Sequence, residues 1–177
     1  MAPRDKPEGD EYEVAMTDPD LPRHRPNVGV VLFNQTGQVW YGHRAGEQGD
    51  HAWQFPQGGV DKGEDVEAAA RRELEEETGV VSADLLGRTE GWIAYDFPEA
   101  LKAQHRLKGK KPWDGQKQVW FAFRFTGDES EIRLDQHEDI EFDAWRWGDL
   151  SEACDLIVPF KRQAYEQVVA AFDKYAG

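Results

Sequence analysis

The sequence predicts an α/β domain in which helices cover both faces of a mixed β-sheet. Residues 27–33 form a nearly continuous apolar run, which is typical of a strand buried on both faces. Residues 118–125 alternate between two sets of bulky side chains, as a strand does. Residues 65–78 are rich in strong helix formers, and residues 160–175 repeat apolar side chains at helical spacing. Strands flanked by two substantial helices favour an α/β/α sandwich with a mixed sheet.

The first half of the chain is predicted to contain a hairpin, a short strand and a helix. Residues 34–37 have the composition of a turn, and residues 38–42 are expected to form the return strand. Residues 53–56 alternate and end at a proline, which indicates a short or edge strand. The helix at 65–78 ends where Gly79 stands, and glycine is the residue that most often follows a helix C-terminus.

The second half is predicted to contain further strands and two more helices. The predicted strands are 92–97, 118–125 and 142–147. Residues 98–117 show no clean period and are long for a structureless loop, so we expect a functional or partly helical segment. A short helix is expected at 150–156, and Pro159 suits the first turn of the last helix.

Length and composition indicate one domain at 24–177, preceded by a mobile N-terminal arm at 1–23 that has no apolar period. No apolar stretch approaches the length that spans a bilayer, and the first residues do not resemble a signal peptide. The single cysteine, Cys154, cannot form an internal disulfide. We therefore expect a cytoplasmic protein that does not enter the membrane.

The distribution of charge is uneven. The chain has a net charge of −14, which argues against non-specific binding of nucleic acid. Residues 98–117 nevertheless carry six basic and two acidic side chains, a net charge of +4, so the remainder carries −18. A local basic site thus stays open as an interpretation.

Three glutamates are expected to share one face of the first helix. Glu73, Glu76 and Glu77 stand at positions i, i+3 and i+4. Each like-charge pair at this spacing costs about 0.2–0.5 kcal/mol. A hard divalent cation among the carboxylates would remove that repulsion, because such ions take oxygen ligands. The alternative interpretation is a solvated acidic face.

The same stretch carries a family resemblance. It reads Gly58-x5-Glu64-x7-Arg72-Glu73-Leu74-x-Glu76-Glu77-x-Gly79-Val80, which matches the Nudix box at every specified position. Flanking stretches are similar to the RNA pyrophosphohydrolase branch of that family, which overlaps the plant-type diadenosine polyphosphate hydrolases. They are residues 25–29, 53–59, 115–118, 142–147 and 160–162, and residues 95–98 look more like the plant-type enzymes.

The resemblance implies a Nudix-type α/β/α fold and an enzyme that hydrolyses phosphoanhydride bonds with Mg²⁺ or Mn²⁺. It implies RNA 5′ ends or diadenosine polyphosphates as substrates, and leaves the choice between them open. An alternative is a Nudix-fold module that senses a nucleotide without turnover. The oligomeric state is not predicted.

The resemblance also assigns site residues. It gives Glu73, Glu76 and Glu77 as catalytic metal ligands, with Glu141 completing the cluster. Which glutamate acts as the base stays open, and Glu138, Asp139 and Asp143 compete with Glu141 for its role. Arg72 is expected to orient a carboxylate, and the carbonyl of Gln57 is a possible further ligand. The residues expected to be structural within the motif are Gly58, Glu64 and Gly79.

Substrate binding is assigned by resemblance to residues outside the motif. The expected phosphate-contacting residues are Arg25, Arg44, Gln116 and Lys117. Phe160 is expected to stack on a base, with Val158 and Lys161 beside it. For Arg44 and Lys117 a solvated surface position is the alternative, and for Phe160 the alternative is a place in the core.

Overall fold

The computed structural model describes residues 21–177 and confirms an α/β architecture with a mixed sheet. The strands are β1 His24–Phe33, β2 Val39–Arg44, β3 Trp53–Gln54, β4 Gln57–Gly59, β5 Ala83–Arg88, β6 Ile93–Asp96, β7 Gly115–Phe125 and β8 Phe142–Gly148. The helices are α1 Val66–Thr78, α2 Glu99–Leu107, α3 Ala153–Leu156 and α4 Arg162–Phe172. Residues 1–20 of the predicted arm lie outside the described residues.

The sheet is built around one parallel pair of strands. Strand β1 pairs with β7 in parallel from His24 opposite Gly115 to Phe33 opposite Arg124. The order of strands through this pair is β3-β2-β1-β7-β5, and β4 pairs antiparallel with the start of β1. Strands β6 and β8 add antiparallel pairs to β7 and β2. At one end of the sheet, therefore, the starts of β1 and β7 lie beside the short strand β4.

Helices cover both faces of the sheet, α1 on one face and α4 with α3 on the other. Alternation along β1 and β7 sends one set of side chains to α1 and the other to α4. The α1 face joins Val28, Val30, Leu32, Val119, Phe121 and Phe123 to Val66, Ala69, Ala70 and Leu74. The α4 face joins Val31, Phe33, Trp120 and Ala122 to Ala164, Tyr165, Val168 and Phe172. The predicted sandwich is confirmed.

Helix α1 begins and ends as its sequence predicts. The Asp65 carboxylate accepts the backbone N–H of Ala68 at 3.0 Å, which satisfies one of the donors that a helix start leaves unpaired. At the other end Gly79 adopts φ +82°, in the left-handed region, and donates its N–H to the carbonyl of Glu75. The carboxylate-bearing helix is therefore fixed at both ends.

Strand β5 and the segment 98–117 differ in how far the sequence predicted them. Strand β5 was not predicted, because its side chains do not alternate between buried and exposed and its pairing with β7 shifts between Leu85 and Gly87. The segment 98–117 contains helix α2, as expected for a partly helical segment. No helix within residues 21–177 has the length and apolar character needed to span a membrane.

Candidate active site

Two glycines of strand β4 allow charged side chains to lie directly against the backbone. A Cβ atom at Gly58 would fall within 3.0 Å of all three atoms of the Glu73 carboxyl group. At Gly59 it would fall within 3.0 Å of the Arg25 guanidinium. Because neighbouring positions of a strand face opposite ways, Glu73 lies on one side of β4 and Arg25 on the other. The two glycines therefore allow side chains from helix α1 and from strand β1 to contact the same short strand.

Arg72 links the glycine loop to helix α1. Its Nε and Nη2 donate to the two carboxylate oxygens of Glu64 at 2.8 and 2.9 Å, and Nη2 also donates to the carbonyl of Gly59 at 2.9 Å. Its Nη1 donates to Glu73 at 2.7 Å. The hydrogen bond from Arg72 holds the pKa of Glu64 below its ordinary value. This geometry agrees with a structural role for Glu64 and an orienting role for Arg72.

Among residues 21–177, Glu77 is the carboxyl group whose pKa is raised most. It accepts the backbone N–H of Gln57 at 3.3 Å and is hydrogen-bonded to Glu73. Burial, followed by the negative charges of Glu73 and Glu141, raises its pKa well above the ordinary value. Three carboxyl groups therefore repel one another here, and Glu77 retains a proton to a higher pH than an exposed glutamate does.

The donor chemistry of this cluster fits a hard divalent cation. Carboxylate and backbone carbonyl oxygens are the ligands that Mg²⁺ prefers, and a cation would offset the repulsion that raises the Glu77 pKa. Within residues 21–177, no group of three or more acidic, histidine or cysteine side chains is already arranged as a metal site. Glu73 faces Arg72, and Glu76 is exposed with Arg72 3.4 Å away.

Glu141 is distinguished from the acidic residues around it. It comes just before strand β8, and it lines a cavity of about 820 Å³ beside the carboxylate cluster. Asp143 is engaged elsewhere, 2.7 Å from Nδ1 of His43 and accepting the N–H of Gly46 at 3.1 Å. Glu138 and Asp139 are exposed and do not line the cavity. The geometry favours Glu141 over these three neighbours.

The cavity brings together most of the residues predicted to bind substrate. They are Arg25, Arg44, Gln116, Val158, Phe160 and Lys161. The Nε atom of Arg44 is buried and finds no hydrogen-bond partner among the described residues. A buried donor without a partner costs free energy, so this atom is suited to a ligand acceptor.

Lys161 has an unusual environment for a lysine. Its Nζ donates to the Gln57 side chain at 3.4 Å and lies 5.5 Å from the centre of the Tyr95 ring. Burial lowers its pKa to about 8, and the nearby charge of Arg44 adds to the effect. Lys161 therefore loses its proton at a pH where an exposed lysine is still charged.

Lys117 does not line this cavity, and its role as a phosphate-contacting residue stays a prediction. It is adjacent to Gln116 on strand β7, and adjacent residues of a strand point to opposite faces. Its side chain is fully buried on the other face, with Nζ 5.2 Å from the centre of the Trp92 ring. The predicted strand began at residue 118, so its alternation did not extend to Lys117.

Two side chains of the site were missed as functional candidates. Tyr95 donates its phenolic hydrogen to Gln116 and lies 5.8 Å from the Phe160 ring, between centroids. The side chain of Gln57 contacts Gln116, Gln118 and Lys161, each at 3.4 Å. The prediction considered only the Gln57 carbonyl, since a side-chain network across three elements has no local sequence signal.

Comparison with known proteins identifies the family. The model of the NUDIX domain matches residues 23–168. The RNA pyrophosphohydrolase of Caulobacter vibrioides is 64% identical over 161 residues, which cover 91% of this chain and 92% of that protein. The RNA pyrophosphohydrolase of Brucella abortus is 50% identical over 167 residues, covering 89% and 92%.

Solved structures agree on the fold. The dihydroneopterin triphosphate pyrophosphohydrolase of E. coli superposes with a TM-score of 0.61 at 24% identity, covering 84% of this chain and 98% of that one. An Ap4A hydrolase of C. elegans gives a TM-score of 0.55 at 16% identity, covering 84% and 98%. The intact motif, its place in the fold and the match over residues 23–168 lead to one conclusion: this chain belongs to the Nudix family.

Proposed function

We propose that this protein is a metal-dependent RNA 5′-pyrophosphohydrolase, which releases pyrophosphate from 5′-triphosphorylated RNA. The observation that carries the proposal is the cavity, where Glu141, two arginines and the Phe160 ring lie beside the carboxylates of the family motif. Relatives that are 50% and 64% identical over most of the chain are named RNA pyrophosphohydrolases. Their names favour RNA ends over diadenosine polyphosphates as the main substrate.

The proposed metal ligands are Glu73, Glu76, Glu77 and Glu141, which would hold Mg²⁺ or Mn²⁺. When bound, such an ion neutralises charge on phosphate oxygens and lowers the pKa of a water molecule. Arg72 keeps the Glu73 carboxylate oriented through its 2.7 Å contact.

The residues across the cavity are proposed to bind and orient the substrate. Arg25 and Arg44 present guanidinium groups to phosphates, and the unpartnered Nε of Arg44 supports that role. Phe160 lies on the cavity wall rather than wholly in the core, which supports its role as a platform for a base. These contacts would hold the phosphoanhydride bond near the carboxylates.

A module that binds nucleotides without turnover is the weaker alternative. The motif is complete, and the relatives that cover most of this chain are named as hydrolases. Both findings favour an enzyme.

The proposal is tested by replacing Glu77 with Gln. Pyrophosphate release from triphosphorylated RNA is measured with Mg²⁺ and with Mn²⁺, beside hydrolysis of diadenosine tetraphosphate. We expect a loss of about 100-fold or more, because the substitution removes a negative charge from the proposed metal site. Glu75→Gln is the matched control, since Glu75 is an exposed glutamate of the same helix that is not among the proposed metal ligands. Near wild-type activity of Glu77→Gln with either metal would refute the proposal.

A further inference from the structure

One wall of the cavity consists of residues that the proposed function leaves without a role. Phe97, Leu101, His105, Lys110, Lys111 and Trp113 line the same cavity as Arg25 and Phe160. They come from helix α2 and from the segments on either side of it. We refer to these six residues as the outer wall.

A row of aromatic rings connects Phe160 to the outer wall. The Tyr95 ring is 5.8 Å from Phe160 and 6.1 Å from Phe97, and Phe97 is 5.3 Å from the His105 ring in an edge-on contact. The apolar floor of the cavity therefore extends past the proposed base platform. A cavity of about 820 Å³ lies in the upper part of the range of about 300–1,000 Å³ that ligand pockets span, which leaves room beyond one nucleotide.

Two lysines of the outer wall have no acidic partner among residues 21–177. The acidic residues of the segment are already engaged, since Asp114 pairs with Arg23 at 2.8 Å and Glu99 pairs with Lys102 at 2.8 Å. Among residues 21–177, no carboxylate lies within ion-pair distance of Lys110 or Lys111. Lys111 Nζ instead lies 5.0 Å from the centre of the Trp113 ring. An aromatic ring with free cations beside it is the arrangement that binds a base and its phosphate.

Core packing accounts for Phe97, which packs against the core on the α4 face, but not for the residues that follow it in the outer wall. Helix α2 contributes no buried residue, and its Leu107 is 89% exposed. The loop after it is held by polar contacts instead: Arg23 donates to the Pro112 carbonyl at 2.9 Å, and the Asp114 N–H donates to the Arg23 carbonyl at 2.7 Å. These contacts fix the backbone on both sides of Trp113, whose half-buried ring lines the cavity.

We propose that the outer wall is a second nucleotide subsite, in which Trp113 stacks on a base and Lys110 and Lys111 bind the phosphate joined to that nucleoside. The inference rests on the proposed function, because it extends the same substrate beyond the nucleotide at Phe160. Two substrates could place a base and its phosphate in this subsite. One is an RNA, through a later nucleotide of its 5′ end, and the other is a dinucleoside polyphosphate, through its second nucleoside.

The test compares kcat/KM on three substrates: a 5′-triphosphorylated RNA dinucleotide, the corresponding tetranucleotide, and diadenosine tetraphosphate. For Trp113→Ala we expect a loss of about tenfold on one or both of the last two, with the dinucleotide changed less than twofold. Trp113→Phe keeps a flat ring and should retain most of the activity. Lys110→Ala combined with Lys111→Ala should show the same selective loss, whereas Lys108→Ala, an exposed lysine outside the cavity lining, should not.

The substrate that loses activity identifies the source of the nucleotide. A loss on the tetranucleotide alone assigns the subsite to RNA, and a loss on diadenosine tetraphosphate alone assigns it to the second nucleoside. Equal effects on all three substrates, or none, would overturn the subsite.

A binding measurement separates this inference from the proposed function. A tetranucleotide with a 3′-fluorescein label is titrated in EDTA, and its Kd is read by anisotropy for the wild type and for Trp113→Ala. If the wild type hydrolyses none of the substrates, the proposed function fails, and the ratio of the two Kd values still decides the subsite. An unchanged Kd rejects it, and an about tenfold weaker Kd supports it.

Discussion

Replacing Gly58 with Ala should remove activity without unfolding the protein. The new Cβ atom would lie 2.0 Å from the Glu73 carboxyl carbon, where ordinary contact begins at 3.4 Å. The Glu73 carboxylate must therefore shift by about 1 Å or more, away from its hydrogen bonds with Arg72 and Glu77. A displacement of about 1 Å at a reacting group costs about 100-fold in rate.

The stability of the same variant should change little. The atoms that must yield belong to the end of a flexible side chain, and the Gly58 backbone is not in the left-handed region. An alanine also restricts the unfolded chain, which stabilises the folded state by about 0.4–1 kcal/mol and offsets part of the lost contacts. Urea unfolding should give a free energy within about 1 kcal/mol of the wild type.

Two matched glycines provide the controls for this experiment. Gly91→Ala places its Cβ in open space and should leave kcat/KM unchanged. Gly59→Ala would displace the Arg25 guanidinium rather than Glu73, so it should raise KM more than it lowers kcat. If Gly58→Ala keeps kcat/KM within about twofold of the wild type, the position of Glu73 against β4 does not matter for catalysis, and the reasoning fails.

Two further predictions concern Lys161 and Gly79. Because the Lys161 pKa is lowered to about 8, its charge is lost as the pH rises through that value, so kcat/KM should fall above about pH 8. In Lys161→Arg this fall should be absent, and its persistence would assign it to another group. In the unfolded chain Lys161 has the ordinary lysine pKa of 10.5, so between about pH 8 and 10.5 the unfolded chain binds more protons than the folded protein. The contribution of Lys161 to the free energy of unfolding therefore rises with pH across this range. Gly79→Ala should lower the free energy of unfolding, measured in urea, by about 2 kcal/mol. The reason is that φ is +82° at this position and that the new Cβ would lie 2.8 Å from the Glu131 carbonyl oxygen. A loss below about 0.5 kcal/mol would contradict this argument.

Local patterns were sufficient to predict the motif helix. The start at Asp65, the stop at Gly79 and the shared face of the glutamates are properties of neighbours in sequence, so the structure agrees with them closely. Strand β1 was predicted because burial on both faces leaves a nearly continuous apolar run, and strand β7 because its bulky side chains alternate.

Features that depend on pairing between distant segments were harder to predict. Strand β5 has no alternation of its own and is defined by its hydrogen bonds to β7. Lys117 points away from the cavity because strand β7 starts at Gly115 and so includes this residue. The predicted strand began at residue 118 and left Lys117 outside it. Residues 98–117 were expected to be functional from their positive charge, but the place of their side chains on the cavity wall was not predicted, because helix α2 buries no residue and leaves no apolar period to read.

The parallel pairing of β1 with β7 has a consequence for the order in which the protein acquires its properties. The acidic helix and its glycine loop lie within about twenty residues of each other and can form from local contacts. The cavity requires His24 to meet Gly115 and Arg23 to meet Asp114, a separation of 91 residues in the second case. Closing so long a loop is slow compared with forming a helix. A chain in which β1 and β7 have not yet paired therefore lacks the cavity even where the motif helix has formed, and binding competence reports this pairing.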